Sequence, residues 1–145
     1  MIKNERQYRI TKAQIEKFRS ALDRVATHPS THKHPILLKA ERDALRSQLD
    51  DLLAEIAEYE ALQNGRHPLL QLHSLDELPT ALIRARIAKG LTQKQLAAKL
   101  GLKEQQIQRY EASDYATASF ARIKQVIEAL NLRITEEAVL ESAKG

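Results

Sequence analysis

The chain contains no cysteine and no tryptophan, and it has only four glycines, four prolines and six aromatic residues among its 145 residues. The lack of cysteine excludes a disulfide framework and a thiolate metal site. No uninterrupted apolar run exceeds three residues, whereas a membrane-spanning helix needs about 20, and residues 1–6 lack the apolar core of a secretory signal. We therefore expect a cytoplasmic protein that does not enter the membrane.

The residues that are abundant favour helices over sheets. Alanine, leucine, glutamate, glutamine, lysine and arginine lose little side-chain freedom in a helix. A chain of 145 residues has room for one compact domain, or for two small elements that share a modest core. This length excludes large multidomain catalytic architectures, and the composition predicts an all-α fold.

Charge is distributed unevenly, although the net charge of +4 is too small to identify a partner. Residues 82–109 contain seven basic residues against one acid, which is the balance expected of a surface that faces phosphates. Residues 41–60 contain seven acids against two arginines. On charge pattern alone, such an acidic run is more often a solvated helix face than a docking surface.

The first 65 residues predict a hairpin of two amphipathic helices. Thr11-Lys12-Ala13-Gln14 has the form of a capping box, which predicts that the first helix begins there, and an apolar stripe continues to Val25. A breaker-rich loop at 27–35 precedes a second helix of about 29 residues, ending at Asn64-Gly65. At about 1.5 Å per residue this helix is roughly 43 Å long. Part of its stripe therefore needs another surface, either the C-terminal domain or a second chain.

The second half of the chain contains a series of short helices with clear local stop and start signals. Gly90 is placed to close one helix, and Thr92 with Gln95 forms a capping box that starts the next. Gly101 can take positive φ without steric cost in a tight turn. A further helix is predicted at Glu104 to Ala112, and Phe120, Ile123, Ile127 and Leu130 predict the apolar face of a last one.

The segment Thr-Gln-Lys-Gln-Leu-Ala-Ala-Lys-Leu-Gly-Leu-Lys-Glu-Gln-Gln-Ile-Gln-Arg-Tyr-Glu at 92–111 resembles the helix-turn-helix of the Xre family, the Cro/C1-type repressors. The resemblance extends over 79–132. It implies a lambda-repressor-like helical bundle that binds double-stranded DNA. We accordingly divide the chain into a helical hairpin at 1–65, a linker at 66–73 and a DNA-binding domain at 74–145.

The resemblance also implies roles for individual residues. Gln93 is expected to hydrogen-bond a DNA phosphate, and the helix from Glu104 is expected to enter the major groove, where Gln pairs with adenine and Arg with guanine. Lys103 departs from the family pattern because Ser or Thr is usual at that cap, and Glu104 brings an acid toward the DNA backbone. The implied DNA-binding residues are Gln93, Lys94, Lys103, Glu104, Gln105, Gln106 and Arg109. Arg86 and Glu111 match a structural salt bridge of the family.

Two weaker signals for enzyme or metal chemistry are set aside. His28, His32 and His34 lie close in sequence, but without a nearby acid or cysteine they are more typical of a polar turn than of a zinc site. Ser74 and Asp76 resemble a helix cap, since no oxyanion loop accompanies them. We expect no catalytic residue, no metal and no cofactor.

The layout of the whole chain resembles HigA-type antitoxins of type II toxin-antitoxin systems, in which a helical N-terminal region precedes an Xre domain. This resemblance implies a repressor of its own operon that also neutralises a small basic ribonuclease toxin. The alternative is a stand-alone regulator whose hairpin serves dimerisation or effector sensing. In either case we expect a homodimer on an inverted-repeat operator. The hairpin residues expected to bind a toxin are Asp50, Leu53, Glu55 and Tyr59.

Overall fold

The computed structural model describes residues 1–65 and 70–142, and within them it contains helices and no strand, which confirms the all-α prediction. Residues 66–69 of the predicted linker and 143–145 of the predicted C-terminal domain lie outside the described residues. No described helix is long and apolar enough to span a membrane. The helices are α1 (Glu5–Thr27), α2 (Pro35–Gln63), a short 3-10 helix (Leu75–Glu77), α3 (Leu78–Ala88), α4 (Gln93–Leu100), α5 (Glu104–Ala112) and α6 (Phe120–Ala129).

Helix α1 begins earlier than the sequence pattern predicts. Its N-cap is Asn4, whose side chain accepts a hydrogen bond from the backbone N–H of Gln7 at 2.9 Å. Thr11, the predicted cap, lies six positions after the first residue of α1, and its side chain is buried. The prediction was wrong because Asn is at least as good an N-cap as Thr, and because the added turns are held in place by Tyr8, whose ring lies 5.2 Å from that of Tyr59.

Helix α2 has the predicted length of 29 residues and ends at the predicted Asn64 cap. The two long helices pack against each other as a hairpin. Near the loop that joins them, however, the apolar stripes are only half-buried, because two helices cannot enclose a core by themselves. These half-buried residues are Phe18, Leu22 and Val25 of α1 and Leu38 and Leu45 of α2.

The other end of the hairpin shares one core with the C-terminal helices. Tyr59 and Leu62 of α2 belong to the same buried cluster as Leu82 and Ile83 of α3. Leu70 and Leu72 of the predicted linker also pack against this cluster, and Arg84 of α3 forms an ion pair with Glu58 of α2 at 2.6 Å. The hairpin is therefore fixed against the C-terminal helices at one end and projects beyond them at the other.

The C-terminal helices follow the local signals closely. Gly90 and Gly101 have φ values of +68° and +66°, and the Thr92–Gln95 capping box is present. Phe120 was predicted to face the core, yet it is 72% exposed, while Val126 is fully buried. Phe120 is the first residue of α6 and lies at the edge of the stripe formed by Ile123, Val126, Ile127 and Leu130, which explains the error.

Candidate nucleic-acid interface

A buried ion pair joins the first helix of the C-terminal group to the end of α5. Arg86 Nε donates to Glu111 Oε2 at 2.6 Å, and Arg86 Nη2 donates to Glu111 Oε1 at 2.7 Å. The two side chains are only 3% and 0% exposed. A third nitrogen, Arg86 Nη1, donates to the carbonyl oxygen of Leu91 at 2.7 Å, in the connection that leads to α4. This bidentate pair, which the resemblance to the Xre family implied, fixes α3, α4 and α5 relative to one another.

The pair is surrounded by protein rather than by solvent. Tyr115 is buried and stacks on Tyr110 with ring centroids 5.8 Å apart. Burial raises the pKa of Tyr115, and the negative charge of Glu111 raises it further. The phenol therefore stays neutral at any pH at which DNA binding is measured. The site around Glu111 is accordingly a buried structural anchor.

Gln93 belongs to this anchor, contrary to the expectation that its side chain faces a phosphate. The side chain is buried, its Nε2 donates to Glu111 Oε1 at 3.0 Å, and its Oε1 accepts from Asn4 Nδ2 at 3.3 Å. Both ends of the carboxamide are thus bonded within the protein. In the first turn of α4 the Lys94 side chain is exposed, and the backbone N–H groups of a first helical turn have no partner within the helix and can bind a phosphate.

Helix α5 presents a polar face to solvent, opposite to its buried Ile107 and Glu111. Gln105 and Arg109 are both exposed and lie one helical turn apart, on the same side of the helix. Gln106 is exposed as well, but its Oε1 accepts from the backbone N–H of Lys103 at 3.1 Å. Since bidentate pairing with adenine uses both the oxygen and the nitrogen of the amide, Gln105 is the better placed of the two glutamines.

The same contact explains the unusual cap at the start of α5. Lys103 has no side-chain acceptor with which to cap the helix, and the Gln106 amide supplies the missing interaction from within the first turn. Glu104 follows at the first helical position, where the helix dipole stabilises its charge, and its Oε1 accepts from Gln108 Nε2 at 3.4 Å. Glu104 is therefore held along α5, next to the residues that face solvent.

The positive surface is smaller than the seven basic residues of 82–109 suggest. Arg84 is neutralised by Glu58 and Arg86 by Glu111, while Lys89 Nζ donates to the carbonyl oxygen of Asn131 at 3.3 Å. The basic residues that remain exposed on α4 and α5, including the residue that caps α5, are Lys94, Lys99, Lys103 and Arg109. Within the described residues, the exposed and unpaired positive charge of this stretch is thus concentrated on α4, on α5 and at the cap between them.

The predicted toxin-binding residues do not form one exposed surface. Tyr59 was expected to bind a toxin, which requires an exposed side chain, but it is buried against Tyr8, and burial raises its pKa. Leu53 packs partly against the core, and Glu55 lies 3.9 Å from the amino group of Met1. Of these four residues, only Asp50 is exposed. The sequence left open whether the C-terminal domain or a second chain covers the apolar stripe of α2, and at Tyr59 and Leu62 it is the C-terminal helices that cover it.

Two of the residues that were set aside as metal or catalytic signals, His34 and Ser74, lie at the starts of helices. His34 Nδ1 accepts from the backbone N–H of Ile36 at 3.1 Å and thereby caps α2. Ser74 is the residue at the start of the 3-10 helix. In residues 1–65 and 70–142 no group of three or more histidine, aspartate and glutamate side chains is arranged to hold a metal ion.

Comparison with known families agrees with this geometry. Residues 82–136 match a family described as helix-turn-helix, of the Xre type. No curated protein and no solved structure shows a significant match to the chain. The matched segment begins in α3 and extends beyond α6, so it contains the anchor and the exposed face of α5. Residues 82–136 therefore form a helix-turn-helix domain of the Xre type, the kind of domain with which transcription regulators bind double-stranded DNA.

Proposed function

We propose that this protein is a sequence-specific repressor that binds an inverted-repeat operator as a homodimer. The proposal is carried by one observation about α5. Gln105 and Arg109 lie side by side on its exposed face, and its opposite face is held in place by the buried Arg86–Glu111 ion pair. A recognition helix needs side chains that reach base edges and a rigid support behind them. Helix α5 has both features.

The contacts divide into two classes by chemistry. The first-turn N–H groups of α4 and the ammonium of Lys94 bind phosphates, which fixes the register of the domain on the duplex without reading sequence. Gln105 pairs with adenine, and Arg109 pairs bidentately with guanine in the major groove. Glu104 repels phosphate but accepts from the amino group of cytosine, so it favours sites with cytosine at the adjacent position.

Gln105→Ala is expected to weaken binding to a site selected from random duplex DNA by about 1–3 kcal/mol, while non-specific binding stays the same.

Lys94→Gln is expected instead to weaken binding to every sequence and to lower the slope of log K against log salt concentration by about one. Gln48→Ala, at an exposed position on α2, is the matched control. Fluorescence anisotropy at several salt concentrations measures all three variants, and equal losses for Gln105→Ala on all sequences contradict base recognition.

The homodimer is supported by the exposed end of the hairpin. A single domain of this kind covers one half-site, and two-fold symmetry places two domains about 34 Å, one helical turn of DNA, apart. Ile36 and Leu37 are exposed at the start of α2, next to the half-buried stripes of both helices. Helix α1 has six basic residues and three acids, so its net charge is positive, whereas the net charge of residues 41–60 is negative. Two hairpins related by a two-fold axis therefore pair basic with acidic helices around a four-helix core.

A second candidate function is that of an antitoxin, which adds neutralisation of a small basic ribonuclease toxin to repression. It is favoured by exposed acids on α2, Asp43, Asp50 and Asp51, on an element separate from α5. The acidic surface is smaller than the sequence count, because Glu58 is paired with Arg84, Glu41 is paired with Lys33, and Glu60 accepts from the hydroxyl of Tyr8. Electrostatic complementarity to such a toxin speeds association more than it strengthens binding.

Co-expression of the full chain with the product of the neighbouring gene tests this second function. The chain is expected to restore growth, and the charge-reversed variant Asp50→Lys with Asp51→Lys is expected to lose the rescue while it keeps its DNA affinity. The control reverses two exposed acids of the C-terminal tail, Glu136→Lys with Glu137→Lys. A neighbouring gene product without toxicity, or no rescue by the unaltered chain, leaves the stand-alone regulator, whereas full rescue by the α2 variant excludes Asp50 and Asp51 from toxin binding.

A further inference from the structure

The first residues of the chain dock on the far end of the recognition helix. Ile2 is buried in the common core. Lys3 Nζ donates to the backbone carbonyl oxygen of Glu111 at 2.5 Å and lies 3.3 Å from Asp114 Oδ1. The carbonyl oxygen of Lys3 accepts from Arg86 Nη2, and Asn4 Nδ2 donates to Gln93 Oε1. Segment 2–4 thus contacts the anchor from the hairpin side.

The ammonium of Lys3 occupies the negative end of α5. The last carbonyl groups of a helix have no partner within the helix, and a cation placed there is stabilised by both the hydrogen bond and the helix dipole. Asp114, the second partner of Lys3, has φ of +50° in the turn that follows α5, a conformation costly for a residue with a Cβ. Lys3 therefore holds the end of the helix and the turn after it together.

This contact matters because α5 is short. It has nine residues, and its base-facing residue Arg109 lies two positions before Glu111. A small tilt at the anchored end moves Gln105 and Arg109 relative to the base edges, and recognition tolerates only about 0.5 Å of displacement. The Arg86 and Gln93 contacts hold the Glu111 carboxylate. The Lys3 contact holds the backbone of the same residue, so it restrains a different motion.

We propose that Lys3 is a positioning residue for DNA recognition, which acts from the hairpin on the end of the recognition helix. The inference rests on the proposed function, since it assigns to Lys3 the orientation of Gln105 and Arg109 rather than a contact with DNA. The Lys3 side chain is 17% exposed and its ammonium is bonded to the protein, so it does not extend toward a phosphate. Through this contact the N-terminal segment helps to orient the helix that recognises DNA.

Lys3→Met keeps the apolar stem and removes the ammonium. It is expected to weaken binding to a selected duplex site by roughly five-fold, because Gln105 and Arg109 are then held less accurately against the base edges, while affinity for random duplex DNA stays the same. The salt slope is expected to stay at the wild-type value, whereas loss of a direct phosphate contact lowers it by about 0.9. Lys3→Arg, which restores a cation at the helix end, is expected to recover the selected-site affinity.

Lys17→Met removes the same charge from an exposed position on α1 and is the matched control. Stoichiometric titration gives the active fraction of each variant, so that a folding defect, which lowers binding to all sequences together, is separated from mispositioning. Equal losses on both DNAs, a lower salt slope, or unchanged selected-site affinity overturns the assignment to Lys3. If the wild-type chain itself shows no preference for any selected site, the proposed function fails and not this inference alone.

Discussion

Glu111→Ala is expected to lower the free energy of unfolding by about 3–5 kcal/mol, because it leaves the Arg86 guanidinium buried without its counter-charge. Native domains have only about 5–15 kcal/mol in total, so this loss removes a large share of the stability. The substitution also removes the hydrogen bond that the Glu111 carboxylate accepts from Gln93, at the helix end that Lys3 contacts. Urea unfolding followed by circular dichroism measures the change.

The control is the double variant Arg86→Met with Glu111→Leu, which removes both charges together. Apolar replacement of a complete buried pair is often neutral or stabilising, so this variant is expected to recover most of the lost stability. If the double variant is as unstable as Glu111→Ala, hydrogen bonding rather than an unpaired charge accounts for the loss. Loss of DNA binding by Arg86→Ala is no evidence for a contact between Arg86 and DNA, because this substitution leaves the Glu111 carboxylate buried without its partner.

Ile36→Glu with Leu37→Glu is expected to convert the protein to a monomer and to lower its affinity for an inverted repeat by about 100-fold or more. Loss of the dimer turns the second half-site contact from an intramolecular into an independent binding event, which removes the gain from effective concentration. Both residues are largely exposed, at 71% and 59%, so the substitutions leave the monomer fold intact. Light scattering and titrations with full and half operators measure the two effects.

Val139→Glu with Leu140→Glu is the matched control, since it places the same charges on another exposed apolar pair, 77% and 97% exposed, in the C-terminal tail. This variant is expected to remain dimeric. If the tail variant is monomeric and the α2 variant is dimeric, the dimer interface lies in the C-terminal tail and not in the hairpin. A wild-type chain that is monomeric at micromolar concentration, and that binds half-sites as tightly as full sites, contradicts the homodimer itself.

Features that depend on neighbouring residues were predictable from the sequence. The bounds of α5, the length of α2, and the starts and stops around Thr92 and Gly101 all agree with the structure. Capping boxes, left-handed glycines and apolar periodicity act within about four residues, so the local sequence contains the whole interaction. The Arg86–Glu111 pair was predicted only because the motif resembles a known family.

What the tertiary structure alone decided is which polar groups remain available to a ligand. The sequence determined that this is an all-α protein with a helix-turn-helix and the exposed pair Gln105 and Arg109, but it could not show that Gln93 and Tyr59 are buried. The contacts that settle these points join residues far apart in the chain, such as Asn4 with Gln93 and Lys3 with Glu111, separated by 89 and 108 positions. Burial and pairing at that separation depend on how the hairpin packs against α3 and α5, and no local propensity encodes that packing.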